Sequence, residues 1–138
     1  VIYYSTSGKN DQKDYERVSF DELLRTSDIV SVHAPLTPET NGLMNAGAFG
    51  KMKPEAIFLN LGRGPIVVEQ DLADALKNGQ IAAAGLDVLC KEPMAADNPL
   101  KEIKDSERLL ITPHIAWASI EARTRLMQII LGYIREMQ

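Results

Sequence analysis

Ala56–Val88 reads AIFLNLGRGPIVVEQDLADALKNGQIAAAGLDV. Its first six residues, Ala56–Leu61, form an apolar run broken only by Asn60, the length and composition of a buried strand. Gly62-Arg63-Gly64-Pro65 is a sharp loop. Glu69–Asn78 then sets Leu72, Ala75 and Leu76 on one helical face, and Gly79 stands where a helix ends in a left-handed residue. Ala82–Val88 is a second apolar strand. Strand, helix and strand in so short a span imply a parallel pair joined by a right-handed crossover.

The same alternation runs outward in both directions. Upstream, Val1–Tyr4 reads as a strand, Ser5–Asp14 as a polar surface loop and Tyr15–Val18 as a short strand. Ser19 and Glu22 have the spacing of a capping box, opening a helix with Phe20, Leu23 and Leu24 inward. Asp28–Ala34 is a strand stopped by Pro35 and Pro38, and Asn45–Met52 is a short helix closed by Pro54. Downstream, Leu89–Asp105 is irregular, with Pro93 and Pro99. Leu109–Ile111 is the last strand, read as buried, and it leads directly into Thr112, Pro113 and His114. Ser119–Met137 is a long helix in which Leu126, Ile129, Ile130, Tyr133, Ile134 and Met137 mark one buried face. The expected fold class is α/β: one parallel sheet with helices on both faces.

Composition narrows the function. Hydrophobic residues make up 45% and charged residues 25% of the 138, which is ordinary for a soluble domain. A net charge of −4 without a basic run argues against nucleic acid or an anionic membrane as partner. The single cysteine, Cys90, excludes an internal disulfide and a multi-cysteine metal site, so no metal is expected, and it fits a reducing cytoplasm. No apolar run is long enough to span a bilayer, and VIYYSTSG has no signal-peptide pattern.

Three polar sites follow three successive strands. Arg63 follows AIFLNL, Asp87 and Glu92 follow IAAAGL, and His114 follows LLIT. In a parallel sheet the carboxyl ends share one edge, where ligands bind, so these sites can converge. Arg63 is a permanent planar cation suited to a carboxylate, between glycines that admit close approach. A carboxylate on an imidazole fixes its tautomer, so Glu92 could orient His114 as a proton donor to a carbonyl oxygen. A carboxylate anchor plus a proton donor describes reduction of a 2-oxo acid. Each residue alone also has a plain structural reading: Arg63 in a surface turn, Glu92 solvated, His114 closing a strand end. Asp87 has three readings: catalytic acid, cofactor-amide contact or cap. Cys90 reads as a packed thiol, Trp117 as core or interface, and His33 as a capped strand end. The glycine-rich G-x-G-x-x-G turn of dinucleotide folds is absent.

VHAPLTPET (Val32–Thr40), NLGRGPIVVEQDLADAL (Asn60–Leu76), AAGLDVLCKEP (Ala83–Pro93) and TPHIAWAS (Thr112–Ser119) resemble the D-isomer-specific 2-hydroxyacid dehydrogenases in order and spacing. The resemblance implies a Rossmann-like, doubly wound sheet that is a partial NAD-binding domain, residues 1–138, of a two-domain dehydrogenase. It implies catalytic roles for Arg63, Glu92 and His114. It also implies that Asp87 holds the nicotinamide amide, that Leu61, Gly62 and Arg63 line that end near His114, and that Pro35 and Thr40 lie along the dinucleotide. KEPMAADNPL and PHIAWAS are most like the glycerate dehydrogenase (hydroxypyruvate reductase) branch. The implied reaction is hydride transfer between NAD(P)H and a small 2-oxo or 2-hydroxy acid in a cytoplasmic homodimer. Phosphoglycerate, lactate or glyoxylate enzymes, and a non-catalytic dinucleotide-binding regulator, are the alternatives.

Two departures carry information. The first strand and glycine-rich turn are missing, and the doubly wound order puts that strand between Val1–Tyr4 and Asp28–Val32. The chain is therefore expected to be a piece of a longer protein with a gap in its sheet. Where the family often ends its second strand with an acid on the adenosine ribose, this chain has Ser5, Thr6 and Ser7 with Lys9 nearby. NAD is the expected cofactor, with NADP as the alternative.

Overall fold

The computed structural model describes residues 1–105 and 107–137. In chain order its elements are β1 (Ile2–Tyr3), β2 (Glu16–Arg17), α1 (Phe20–Thr26), β3 (Ile29–Val32), α2 (Ala46–Phe49), β4 (Ile57–Asn60), α3 (Glu69–Lys77), β5 (Ala83–Leu86), β6 (Leu109–Ile111) and α4 (Ile120–Glu136). Short 3-10 turns lie at Gly64–Ile66 and Pro99–Glu102. Every strand pair is parallel, in the orders β1-β2 and β3-β4-β5-β6. Each expected strand and helix is found, mostly shorter at the ends than the sequence runs suggest.

The alternation of side chains along each strand builds the core. Val30 and Val32 of β3, Phe58 of β4 and Ala84 and Leu86 of β5 turn to one face, where they join Phe49 of α2, Leu72 and Leu76 of α3, and Leu100. Phe49 and Phe58 meet edge to face, with ring centroids 5.3 Å apart. Caps stop the helices as their sequences require. Ser19 accepts from the Glu22 N–H, one half of the expected box, and Asn45 accepts from the Ala48 N–H. Gly79, with φ +68°, closes α3.

Three expectations need correction. Helices close only one face of the four-stranded sheet: Ile29, Ile57 and Leu110, on the other, are exposed. For the same reason β6 is a half-exposed edge strand rather than a buried one. The apolar residues of α4 are not buried, since no residue of that helix is. Helical periodicity identifies an apolar stripe but does not say what lies on it.

The expected gap is present. β1 and β3 are not paired, and a cleft of about 500 Å³ lies between them, lined by Ile2, Tyr3 and Tyr4 on one side and Val30, Ser31 and Val32 on the other.

Candidate active site

The order β4-β5-β6 puts the ends of three neighbouring strands side by side. The loop after β4 is shaped by Asn60, which is fully buried. Its Oδ1 accepts the Gly62 N–H at 3.1 Å, and its Nδ2 donates to the Arg63 carbonyl at 3.0 Å. Both glycines are sterically required. A Cβ on Gly62 would stand 2.9 Å from the Ala34 carbonyl oxygen, and one on Gly64 would stand 2.0 Å from the Leu89 carbonyl carbon. The Arg63 loop is therefore in backbone contact with the segment that carries Glu92. Arg63 itself is exposed, and its guanidinium donates to the Gly62 carbonyl at 2.8 Å rather than to Glu92 or His114.

After β5, Asp87 is buried, and its carboxylate organises the next loop. Oδ1 accepts the Thr112 hydroxyl at 2.5 Å and the Ile115 N–H at 2.8 Å, while Oδ2 accepts the Ala116 N–H at 2.8 Å. Burial pushes the Asp87 carboxyl up, but those three hydrogen bonds and nearby His114 outweigh it and hold the group below its ordinary value. These contacts tie down the Thr112–Ala116 loop and cap no helix, since α4 begins at Ile120 with Ser119 as its cap. One lone pair on Oδ2 is left for a further donor.

His114 follows β6 with φ +54°, a left-handed conformation rare for a side chain of this size. Such strain persists only where the surroundings over-determine it. Here Asp87 grips Thr112 before it and Ile115 and Ala116 after it, and the Trp117 indole N–H donates to the His114 carbonyl at 2.8 Å. The imidazole Nδ1 lies 3.0 Å from Glu92 Oε2, with both side chains about 40% exposed. Since a carboxylate only accepts, Nδ1 carries the proton between them, and Nε2 is left for chemistry. Glu92 Oε1 accepts the Leu89 N–H at 2.9 Å. That bond first, and the one from His114 second, hold the Glu92 carboxyl below its ordinary value.

The remaining candidates lie elsewhere. Pro35 is exposed at the end of β3 and lines the cleft with His33 and Ala34. Thr40 is buried, and its hydroxyl donates to the Pro35 carbonyl at 2.7 Å, so it shapes the turn rather than presenting a free hydroxyl. Leu61 is partly exposed beside Gly62. His33 bonds Ser31 Oγ at 2.8 Å. Cys90 is exposed rather than packed; desolvation of its sulfur, then neighbouring Glu69, pushes the thiol up to about 11, which suits a thiol and not a nucleophile. Sequence reasoning missed Asn60, Thr112 and the pinning role of Trp117. Only Asn60, a polar residue inside an apolar strand, carried a signal.

The carboxyl ends of β1 and β3 open on the same cleft, with Ser5 and Thr6 facing it on one side and His33, Ala34 and Pro35 on the other. Arg17 approaches the loop after β1, donating to the Gly8 carbonyl at 3.0 Å. Carboxyl ends of parallel strands on either side of a cleft are where open α/β sheets bind their ligands. Residues 1–116 match the D-isomer specific 2-hydroxyacid dehydrogenase, NAD binding domain, family. The chain belongs to that family. It is 51% identical over 119 residues to a hydroxypyruvate reductase of Blautia hydrogenotrophica, covering 86% of this chain and 36% of that reductase. Among solved structures, a D-lactate dehydrogenase from a Sporolactobacillus species aligns with a TM-score of 0.83 at 31% identity, over 95% of this chain and 43% of the other. An acyclic imino acid reductase in complex with NADPH and D-Arg aligns with a TM-score of 0.81 at 34% identity, over 99% and 43%. Further relatives are named D-3-phosphoglycerate dehydrogenase, at 46% identity in Archaeoglobus fulgidus, and glyoxylate reductase, at 41% in Thermofilum pendens. The chain thus spans about two-fifths or less of the length of these relatives. The expected fold class and family are both met, and the domain is of the NAD-binding kind.

Proposed function

We propose that this domain serves an oxidoreductase that reduces a small 2-oxo acid, hydroxypyruvate, reversibly to D-glycerate. The observation that carries the reading is the Glu92–His114 contact at 3.0 Å, at the sheet edge shared with the Arg63 loop. Arg63 is the residue that would hold the substrate carboxylate, its fork matching two carboxylate oxygens. His114 Nε2 would pass a proton to the carbonyl oxygen as that oxygen becomes an alkoxide, leaving a neutral imidazole, and Glu92 would stabilise the imidazolium present before the transfer and re-formed in the reverse reaction. Bound NADH supplies the hydride. Asp87, Leu61 and Gly62 would stand at the nicotinamide end, and Pro35 with the Thr40 turn along the dinucleotide. Tyr4–Asn10 contains no carboxylate to repel a 2′-phosphate, Lys9 lies on that loop and Arg17 of β2 donates to its Gly8 carbonyl, which supports NADP as a second cofactor.

Hydroxypyruvate is favoured by the similarity to the Blautia reductase. Among the described residues no helix is long and apolar enough to cross a membrane. With the lone thiol, this supports a cytoplasmic setting. The exposed apolar side chains of α4 support a homodimer.

The test is NADH oxidation by the full-length protein with hydroxypyruvate, 3-phosphohydroxypyruvate, pyruvate and glyoxylate. Hydroxypyruvate should give the highest kcat/KM. His114→Gln should lower kcat by about 10²–10⁴-fold and leave NADH binding, read by fluorescence, unchanged. NADH binding without turnover of any 2-oxo acid would replace this reading with a non-catalytic dinucleotide-binding regulator.

A further inference from the structure

Glu92 sits on a stretch, Leu89–Asn98, that contains no helix or strand. Its aim on His114 therefore has to come from contacts outside regular structure. Two points on that stretch are tied to one side chain. Glu69, the first residue of α3, accepts the Cys90 N–H on Oε1 at 2.8 Å and the Asn98 side-chain amide on Oε2 at 2.9 Å. Glu92 lies between these anchors. The amide of Asn98 cannot turn over, because its Oδ1 accepts the Leu100 N–H at 2.9 Å to start the Pro99–Glu102 turn. Asn98 is buried, so a mismatch there is not relieved by water.

We propose that Glu69 is a positioning residue that holds the Leu89–Asn98 segment so that Glu92 meets His114. It touches neither member of the pair and acts through the backbone that carries Glu92. The proposal rests on the reading of Glu92–His114 as the proton-transfer pair.

Donor and acceptor chemistry makes the test sharp. Glu69→Gln keeps an oxygen for Cys90 but turns an NH2 toward the NH2 of Asn98, so two donors face each other. Asn98→Asp, made alone, sets two carboxylates together. Made with Glu69→Gln, it restores one donor and one acceptor, and its second oxygen still accepts the Leu100 N–H.

The four proteins are compared at full length by kcat, KM and NADH affinity, and by the ¹⁵N–¹H signal of the His114 Nδ1–H, assigned through its loss in His114→Gln. Each single variant should lower kcat about tenfold with NADH affinity unchanged, and should expose the Nδ1–H to rapid exchange. The double variant should recover kcat to within about threefold and restore the protected signal. Single variants that keep both full kcat and the protected proton would overturn the proposal. So would a double variant that stays as impaired as the singles, since the damage would then be general. If the wild-type protein turns over no 2-oxo acid while the Nδ1–H signal still follows the lose-and-recover pattern, the clamp stands and the dehydrogenase reading falls.

Discussion

At the β4–β6 end of the molecule the polar groups that present the site are mostly tied down, whereas at the β1–β3 end two strand edges face each other across a cleft. The first region holds a strained His114 whose neighbours Thr112, Ile115 and Ala116 all donate to the Asp87 carboxylate, while Trp117 donates to the His114 carbonyl. The second offers backbone edges and apolar side chains with no partner strand between them. The difference separates loops whose hydrogen bonds are made close to each strand end from strand edges that have no partner among the described residues. Loop chemistry is written within a few residues of each strand end, while the pairing of a strand edge depends on a neighbour that can lie far away in sequence.

The most direct way to break the finished region is Asp87→Ala. It removes the acceptor for Thr112 and leaves the Ile115 and Ala116 N–H groups unpaired. Unpaired groups of this kind cost about 1–3 kcal/mol each, so we expect a loss of about 3 kcal/mol in urea unfolding. Released from its left-handed conformation, His114 should also lose register with Glu92, and kcat of the full-length protein should fall by about a hundredfold or more. A variant with unchanged kcat would show that Glu92 alone fixes the imidazole.

Two glycines give the next contrast. Gly64→Ala puts a methyl group 2.0 Å from the Leu89 backbone, so the Arg63 and Glu92 loops must separate. A cost of about 3 kcal/mol, with a rise in KM for the 2-oxo acid, is expected. Gly79→Ala meets nothing within 4 Å among the described residues and costs only its φ of +68°, about 1 kcal/mol. Equal effects at the two positions would mean that the loops do not depend on their close approach.

Much of this was legible in the sequence, and the reasons differ by residue. Leu72, Ala75 and Leu76 announced a buried helical face, and they are buried. Arg63, Glu92 and His114 each follow a strand in a parallel pattern, and the sheet sets those three ends in adjacent positions. Glu69 and Asn98 were not legible, because each acts on a residue more than twenty positions away and only the folded chain brings them together. Leu126 and Ile130 were misread as buried for the converse reason. Their spacing describes the helix, and what covers a helix is a property of the rest of the molecule.

Acid sharpens the comparison with a smaller effect. Asp87 and Glu92 both titrate below their ordinary values. Their ionised forms therefore favour the folded state, and that stabilisation is complete above the ordinary carboxylate values. It is lost as pH falls through the depressed ones. Urea midpoints should be flat from neutrality to about pH 5 and fall below about pH 4. Asp87→Asn should fall less steeply over the same interval, and a parallel descent would assign the acid sensitivity to other carboxylates.

The smallest effect is expected where the molecule is least finished. Side chains from Leu126 to Ile134 on α4 that would ordinarily be core, Leu126, Met127, Ile129, Ile130, Leu131, Tyr133 and Ile134, are each between 41% and 63% exposed. Leu72, on α3, is completely buried. Leu72→Ala in this 138-residue chain should cost about 2–5 kcal/mol, because it removes packed methyl groups and leaves a cavity. Ile130→Ser should change the stability of the same chain by no more than about 0.5 kcal/mol, since the side chain already faces water. In the full-length protein the outcome should depend on what meets α4. If a second copy covers it, Ile130→Ser weakens self-association in sedimentation velocity and leaves the sheet untouched. If Ile130→Ser costs the isolated chain as much as Leu72→Ala, then α4 packs on the domain in solution, and the contrast between covered and uncovered helices does not hold.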